Sequence, residues 1–219
     1  MTTYRSSGNR RHFLNATAAV AGGISTMTLF PGKAGAAPAA MEDVWSVVGP
    51  RDGFTPHVGT IYSMLNMMRH QILQPVQGMT VVELDYLHDT NSNSIGALLW
   101  HMAATETYFQ LNTFDNVKWG AWTEAVKKKW DVPMRLGEDA RKNIKGHDLG
   151  FYLDLLQETR VKTVEEFRKR DDDWLMRIDP DWGWNNYAKW FHVAEHESNH
   201  NGQIKWLKGR LPGMKPGND

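Results

Sequence analysis

The chain has 219 residues, 25 basic and 25 acidic side chains and 41% hydrophobic residues, enough for one domain with a sizeable core. Cysteine is absent, which excludes disulfides, thiol nucleophiles and thiolate metal sites and leaves His, Asp and Glu as metal ligands. The first 40 residues hold four basic residues and no acid, so 21 basic and 25 acidic residues remain beyond them. No basic stripe or basic and aromatic cluster stands out, and we predict no nucleic-acid partner.

Residues 1–40 have the layout of a signal peptide. The basic pair Arg10 and Arg11 precedes an uncharged run at residues 16–30 and an Ala-rich stretch. The paired arginines followed by Phe-Leu resemble a twin-arginine export signal. A membrane anchor is the alternative, but the run is shorter than the roughly 20 apolar residues of a span. We predict cleavage between residues 36 and 40, a periplasmic or secreted protein, and no stable membrane span after cleavage.

Apolar spacing and capping residues predict the first helices of the mature chain. We predict a lead-in segment at residues 41–53, followed by a helix that begins at Pro56, with Thr55 as its N-cap, and ends at about residue 75. Residues 80–87 should form at most two helical turns, which begin with a capping box of Thr80 and Glu83. The next helix is predicted at residues 95–111, capped by Ser92 or Ser94. His101 lies in the middle of the apolar stripe of this last helix.

The second half of the mature chain predicts two further long helices. A polar segment at residues 114–146 includes a short predicted helix at 123–130. Asp148 then caps an amphipathic segment at 149–178, which we predict to be helical. Asn185 caps the final helix, and Gly209 ends it. No strand-like alternation follows residue 40. We predict an all-α domain at residues 54–213, a four-helix core with short extra helices, and a tail at 214–219.

Three histidines of the final helix suggest a metal site. At about 100° per residue, His196 and His200 project from one face, one turn apart, and can share an ion. His192 lies one turn earlier and is a candidate for the pocket wall. His101 is the best third ligand, because it lies on the core-facing stripe of a helix that can neighbour the last one. A lone buried histidine is more often a hydrogen-bonded core residue, but the downstream pair favours a ligand.

Residues 196–200 also match the H-E-x-x-H signature of zinc metalloproteases. Such an enzyme needs a third ligand, commonly further along the chain, and the 19 residues after His200 offer only Asp219 and the terminal carboxylate. The protease interpretation is therefore disfavoured. Three imidazoles with an open fourth position are the arrangement of catalytic zinc, while nickel, iron, cobalt and manganese also accept nitrogen ligands.

Two segments carry a resemblance to a known family. NSIGALLWHMAATE at residues 93–106 and HVAEHESNHNGQI at 192–204 resemble the second-helix and last-helix patterns of DinB-like proteins, a superfamily that includes YfiT-type metal hydrolases. The similarity spans about residues 54–211. It implies an up-and-down four-helix bundle whose metal-binding histidines are His101, His196 and His200.

The resemblance leaves the reaction open. Characterised relatives are similar to thiol-dependent transferases and isomerases that use mycothiol or bacillithiol, with a metal that lowers the pKa of the cofactor thiol. For an exported protein, a metal-dependent hydrolase is the simpler expectation, with zinc the first candidate metal and Glu197 or Glu195 as candidate general base. A thiol S-transferase is the first alternative. A non-catalytic protein that binds a metal or small ligand is the second, and a purely structural site and a homodimer also stay open.

Overall fold

The computed structural model describes residues 45–213. These residues form eight α-helices and no strand, and one isolated β-bridge joins Ile178 and Asn185. The helices are α1 (Pro56–Val76), α2 (Val81–Leu84), α3 (Ile95–Thr113), α4 (Glu124–Arg135), α5 (Gly137–Asn143), α6 (Leu149–Phe167), α7 (Asp172–Met176) and α8 (Asn186–Lys208). The all-α prediction is confirmed. The predicted signal peptide and the tail at 214–219 lie outside the described residues.

The four long helices form the predicted bundle. Helix α1 packs against α8 and α6, and α3 packs against α6 and α8, so each long helix has two long neighbours. Short helices α2, α4, α5 and α7 decorate this core. Helices α3 and α8, which carry the candidate ligands, therefore lie side by side. In the described part of the chain, no helix is both long and apolar enough to cross a bilayer.

Side-chain caps begin most of the helices where the sequence predicts them. The side chains of Ser94, Asp148 and Asn185 each accept a hydrogen bond from the backbone N–H three residues later. Thr80 and Glu83 form the predicted capping box at α2. Helix α1 starts at Pro56. Proline is favoured at the first position of a helix because the N–H groups of the first turn have no partner within the helix, so nothing is lost when one is absent.

The predicted continuous helix over residues 149–178 is wrong. Helix α6 ends at Phe167, and the carboxylate of Asp171 caps the new helix α7 by accepting from the N–H of Trp174. Asp172 Oδ1 also accepts from Thr55 Oγ1 at 2.5 Å. This contact ties the start of α7 to the start of α1, so local capping and a distant partner outweigh the helical pattern.

The predicted short helix at residues 123–130 is longer in the structure, and its last turn leaves a backbone carbonyl without a partner in the helix. Helix α4 continues to Arg135, with Pro133 inside its last turn. Leu136 then adopts a φ of 56°, in the left-handed region, which terminates the helix. The carbonyl of Pro133 belongs to the last turn of α4 and lacks a partner within the helix. It is free to accept a hydrogen bond from elsewhere.

Candidate metal centre

The structure brings the three predicted ligands together. Nε2 of His101 lies 3.1 Å from Nε2 of His196, and Nε2 of His200 lies 3.1 Å from the same atom. The three ligand atoms are all within 4.8 Å of one another. His101 comes from the middle of α3, and the other two come from successive turns of α8, as the helical spacing predicts.

Hydrogen bonds at the far side of two rings set their tautomers. Nδ1 of His101 lies 2.9 Å from the Pro133 carbonyl oxygen, which can only accept, so Nδ1 carries the proton. Nδ1 of His200 lies 3.0 Å from Oε1 of Gln203, another acceptor. Both neutral rings therefore present an unprotonated Nε2 to the centre of the cluster.

Burial keeps the three imidazoles neutral. The pKa of His101 is lowered to about 4, mainly by loss of solvation and to a smaller extent by repulsion from His200. Loss of solvation and the neighbouring histidines lower the pKa of His196 to about 3. Burial also lowers the pKa of His200. At neutral pH the cluster is uncharged, which is the protonation state that metal binding requires.

The donor set fits a divalent metal ion. Lone pairs on Nε2 of His101 and His200 both face Nε2 of His196, which has only one position for a proton and cannot satisfy both. Nitrogen ligands at about 2.0–2.1 Å from a tetrahedral zinc ion would lie about 3.3 Å apart, close to the two spacings observed. One ion would satisfy all three nitrogens and leave a coordination position for a substrate.

A comparison with models of known protein families shows the family of the chain. The profile of a family described as mycothiol-S-transferase matches residues 60–213, most of the chain. The chain belongs to the mycothiol-S-transferase family. This is a DinB-like family, so the resemblance predicted from the two histidine segments is confirmed. No curated protein matched significantly.

A solved structure supports the fold of this mycothiol-S-transferase family member. The chain is similar to the conserved protein of a locus from Enterococcus faecalis, with 16% sequence identity and a TM-score of 0.54. The match covers 70% of this chain and 96% of the other. At this identity the similarity concerns the helical fold alone.

The two candidate general bases lie in different surroundings. Glu195 is at the surface, where Oε2 lies 3.2 Å from Nδ1 of His192 and Oε1 accepts from the side chain of Asn199. Glu197 is 1% exposed, and its Oε1 accepts from Arg69 at 2.6 Å and Arg160 at 3.0 Å. Among the hydrogen bonds of the described residues, neither glutamate contacts a histidine of the cluster. Their predicted catalytic role stays a prediction.

A buried ion cluster behind the metal site was missed by the sequence analysis. Glu106 on α3 is completely buried and binds both Arg69 of α1, at 2.9 Å, and Arg160 of α6, at 2.8 Å. Burial alone would raise the pKa of Glu106, but the two guanidinium groups outweigh it and lower that pKa to about 2. With Glu197 of α8, these residues join all four long helices. Nothing in local spacing signals a contact between residues so distant in the chain.

The other histidines behave as predicted, as packing or surface residues. His192 contacts the rings of Phe109 and Trp184 and lines the pocket wall. The four remaining described histidines each contact an aromatic ring outside the cluster; these pairs are His57 with Tyr187, His70 with Trp45, His88 with Trp206 and His147 with Phe151.

An apolar cavity of about 340 Å³ adjoins the cluster. We call it the aromatic cavity; its lining residues are Thr105, Phe109, Trp119, Met134, Trp182, Trp184, His192 and His196. His196 is the only ligand candidate in this lining, and it is also the one that is incompletely buried. The histidine cluster therefore borders an apolar space at His196.

Proposed function

We propose that the protein is a metal-dependent thiol S-transferase that joins a small thiol to an apolar electrophile. The observation that carries the proposal is the convergence of three neutral imidazoles beside an aromatic cavity, in a chain that belongs to the mycothiol-S-transferase family. Zinc is the first candidate metal, because His nitrogens with an open position suit it. The family match favours the transferase over the hydrolase and outweighs the expectation of a hydrolase for an exported protein.

The reaction needs only a thiol and an electrophile with a leaving group. The thiol loses its proton, its sulfur forms a bond to the electrophilic carbon, and the leaving group departs with the electron pair of the broken bond. When bound, a divalent metal supplies Lewis acidity that lowers the pKa of a thiol beside it. The thiol proton leaves to solvent or to a surface base such as Glu195, whose side chain is 44% exposed.

The residues of the chain would orient both the metal-binding rings and the reactants. The Pro133 carbonyl and Gln203 hold His101 and His200 with Nε2 towards the shared centre. Aromatic rings of Phe109, Trp119 and Trp182 surround the space next to His196 and would position an apolar electrophile there.

A product analysis tests the proposal. The metal-loaded protein is incubated with 1-chloro-2,4-dinitrobenzene in the presence and absence of 1-thioglycerol, and the products are identified by mass spectrometry. We expect a metal-dependent thioether that is absent without thiol. If the electrophile is hydrolysed without thiol as fast as it is consumed with thiol, the hydrolase is favoured instead. A metal-loaded, folded protein that is inert towards several thiols and electrophiles would refute the transferase.

We also propose that the chain is exported through a twin-arginine route. The support is the Arg10 and Arg11 pair followed by the uncharged run and the Ala-rich stretch. Cell fractionation tests this proposal, because replacing both arginines by lysine should keep the chain in the cytoplasm. Equal distribution of the wild type and this variant would contradict it.

A further inference from the structure

The joint between α4 and α5 exchanges one hydrogen-bond partner. The N–H of Leu136 still donates to the Val132 carbonyl at 3.1 Å, in the α-helical pattern. If the helix continued, the N–H of Gly137 would bind the Pro133 carbonyl, four residues earlier. It donates instead to Oδ1 of Asn93, at 3.1 Å. The exchange leaves the Pro133 carbonyl open to another donor.

His101 is the donor that uses this carbonyl. Its Nδ1 lies 2.9 Å from the Pro133 oxygen, and this contact holds the ring with Nε2 towards His196. Hydrogen bonds of this kind fix the tautomer and the orientation of a metal-binding imidazole. The partner that the N–H of Gly137 takes therefore affects the metal centre through a single carbonyl group.

The backbone of the joint is held in a conformation that leucine rarely adopts. Leu136 has a φ of 56° and a ψ of −146°, and Gly137 has a φ of 71°. Glycine reaches such angles without steric cost, but Leu136 is strained there. The side chain of Leu136 packs against the core, and this contact offsets strain. Without an acceptor outside the helix, a relaxed helical φ at Leu136 would return the N–H of Gly137 to the Pro133 carbonyl.

Asn93 supplies the outside acceptor from the loop before α3. It directly precedes Ser94, whose side chain caps the helix that carries His101. Arg141 of α5 donates to the Asn91 carbonyl at 3.1 Å, which makes a second contact between this loop and α5. The acceptor and the imidazole are therefore both attached to α3.

We propose that Asn93 is a positioning residue of the metal centre. By binding the N–H of Gly137, it keeps the Pro133 carbonyl available to His101 and so holds this ring in the tautomer that presents Nε2 to the ion. Asn93 is not itself a ligand and acts through two hydrogen bonds in series. The inference rests on the proposed metal-dependent function and assigns a residue outside the histidine cluster to it.

Substitutions at this position separate the role of the acceptor from packing. Asn93→Ala removes the acceptor, and the near-isosteric Asn93→Leu removes it while keeping the volume of the side chain. Asn93→Asp keeps an oxygen in the same place. Asn91→Ala is the matched control in the same loop, because the described hydrogen bonds of Asn91 use only its backbone.

Zinc affinity is measured on the full-length chain by competition with a chelating dye. We expect Asn93→Ala and Asn93→Leu to weaken zinc binding by about 10–100-fold, the typical effect of losing an outer contact of a ligand. Asn93→Asp and Asn91→Ala should bind zinc as tightly as the wild type. Equal affinities in all variants, or the same loss in Asn93→Asp, would overturn the positioning role and leave the metal centre standing. A wild type that binds no zinc would overturn both.

The tautomer of His101 gives a readout that a change of packing alone would not move. Long-range proton–nitrogen NMR spectra are recorded on the metal-free chain, labelled at its histidine ring nitrogens, and the signals of His101 are assigned by their loss in His101→Asn. We expect a proton on Nδ1 in the wild type and in Asn93→Asp, and a mixture of the two tautomers in Asn93→Ala. A proton that stays on Nδ1 in Asn93→Ala would overturn the assignment.

Discussion

At the residue scale, the site depends on which nitrogen of each ring carries the proton. Gln203 holds His200 through one hydrogen bond, and such outer contacts typically change metal affinity 10–100-fold. We expect Gln203→Leu to weaken metal affinity by about that factor in a competition titration with a chelating dye. The matched control is Gln74→Leu, because Gln74 pairs with His70 outside the cluster. Equal affinities in the two variants would show that Gln203 does not orient the ligand.

Also at the residue scale, the buried histidines make the metal-free chain sensitive to acid. His101 has a pKa of about 4 when folded and 6.5 as the ordinary value, so between these pH values the unfolded state binds more protons. Stability should therefore fall as the pH falls. The expected loss from His101 is about 2 kcal/mol between pH 7 and pH 5, measured by urea unfolding in the presence of a chelator.

One variant controls the acid measurement. His101→Asn removes the buried imidazole and should reduce the dependence of stability on pH. The same direction is expected for His196, whose pKa burial lowers to about 3. Stability that is constant between pH 7 and pH 5 would mean that the imidazoles are more hydrated than the structure indicates.

At the element scale, the ion cluster of Arg69, Glu106, Arg160 and Glu197 joins α1, α3, α6 and α8. Glu106→Ala would leave two buried guanidinium groups with one carboxylate, and we expect a loss of about 3–5 kcal/mol in the free energy of unfolding. Glu138→Ala removes one partner of the exposed pair with Lys142 and should cost no more than about 1 kcal/mol. Similar losses in the two variants would contradict the structural role of the cluster.

The contact between α3 and α6 gives a second prediction at this scale. A Cβ on Gly96 would lie 2.6 Å from Oη and 2.7 Å from Cζ of Tyr152, which is fully buried. Gly96→Ala should therefore destabilise the protein by about 1–3 kcal/mol, although alanine favours helices. Gly202→Ala has open space and should stabilise by about 0.5–1 kcal/mol. Thermal unfolding compares the two, and a gain at both positions would contradict the close packing.

The same helices mark how far sequence reasoning reaches. Helical spacing and the caps at Ser94 and Asn185 predict α3 and α8, because those signals are local. The break between α6 and α7 was not predicted, because the cap at Asp171 acts together with a contact between Asp172 and Thr55, which precedes α1 and is distant in the chain. The length of α4 was underestimated, because the helix continues beyond residue 130 and accommodates Pro133 in its last turns before Leu136.

At the scale of the whole molecule, His101 could be paired with His196 and His200 because an apolar stripe and a one-turn spacing point both helices towards one core. The partners that complete the site could not be predicted in this way. The Pro133 carbonyl becomes available only because α4 ends beside α3, and the residues of the aromatic cavity come from separate parts of the chain. These features depend on how the helices pack.

The central claim is that His101, His196 and His200 hold one divalent metal on which thiol transfer depends. Metal content by elemental mass spectrometry and thioether formation are measured on the same samples of wild type and of His101→Ala, His196→Ala and His200→Ala. We predict about one metal per chain in the wild type, and loss of both metal and transfer in each folded variant. Metal-free wild type that transfers at the full rate, or variants that keep their metal, would contradict the account.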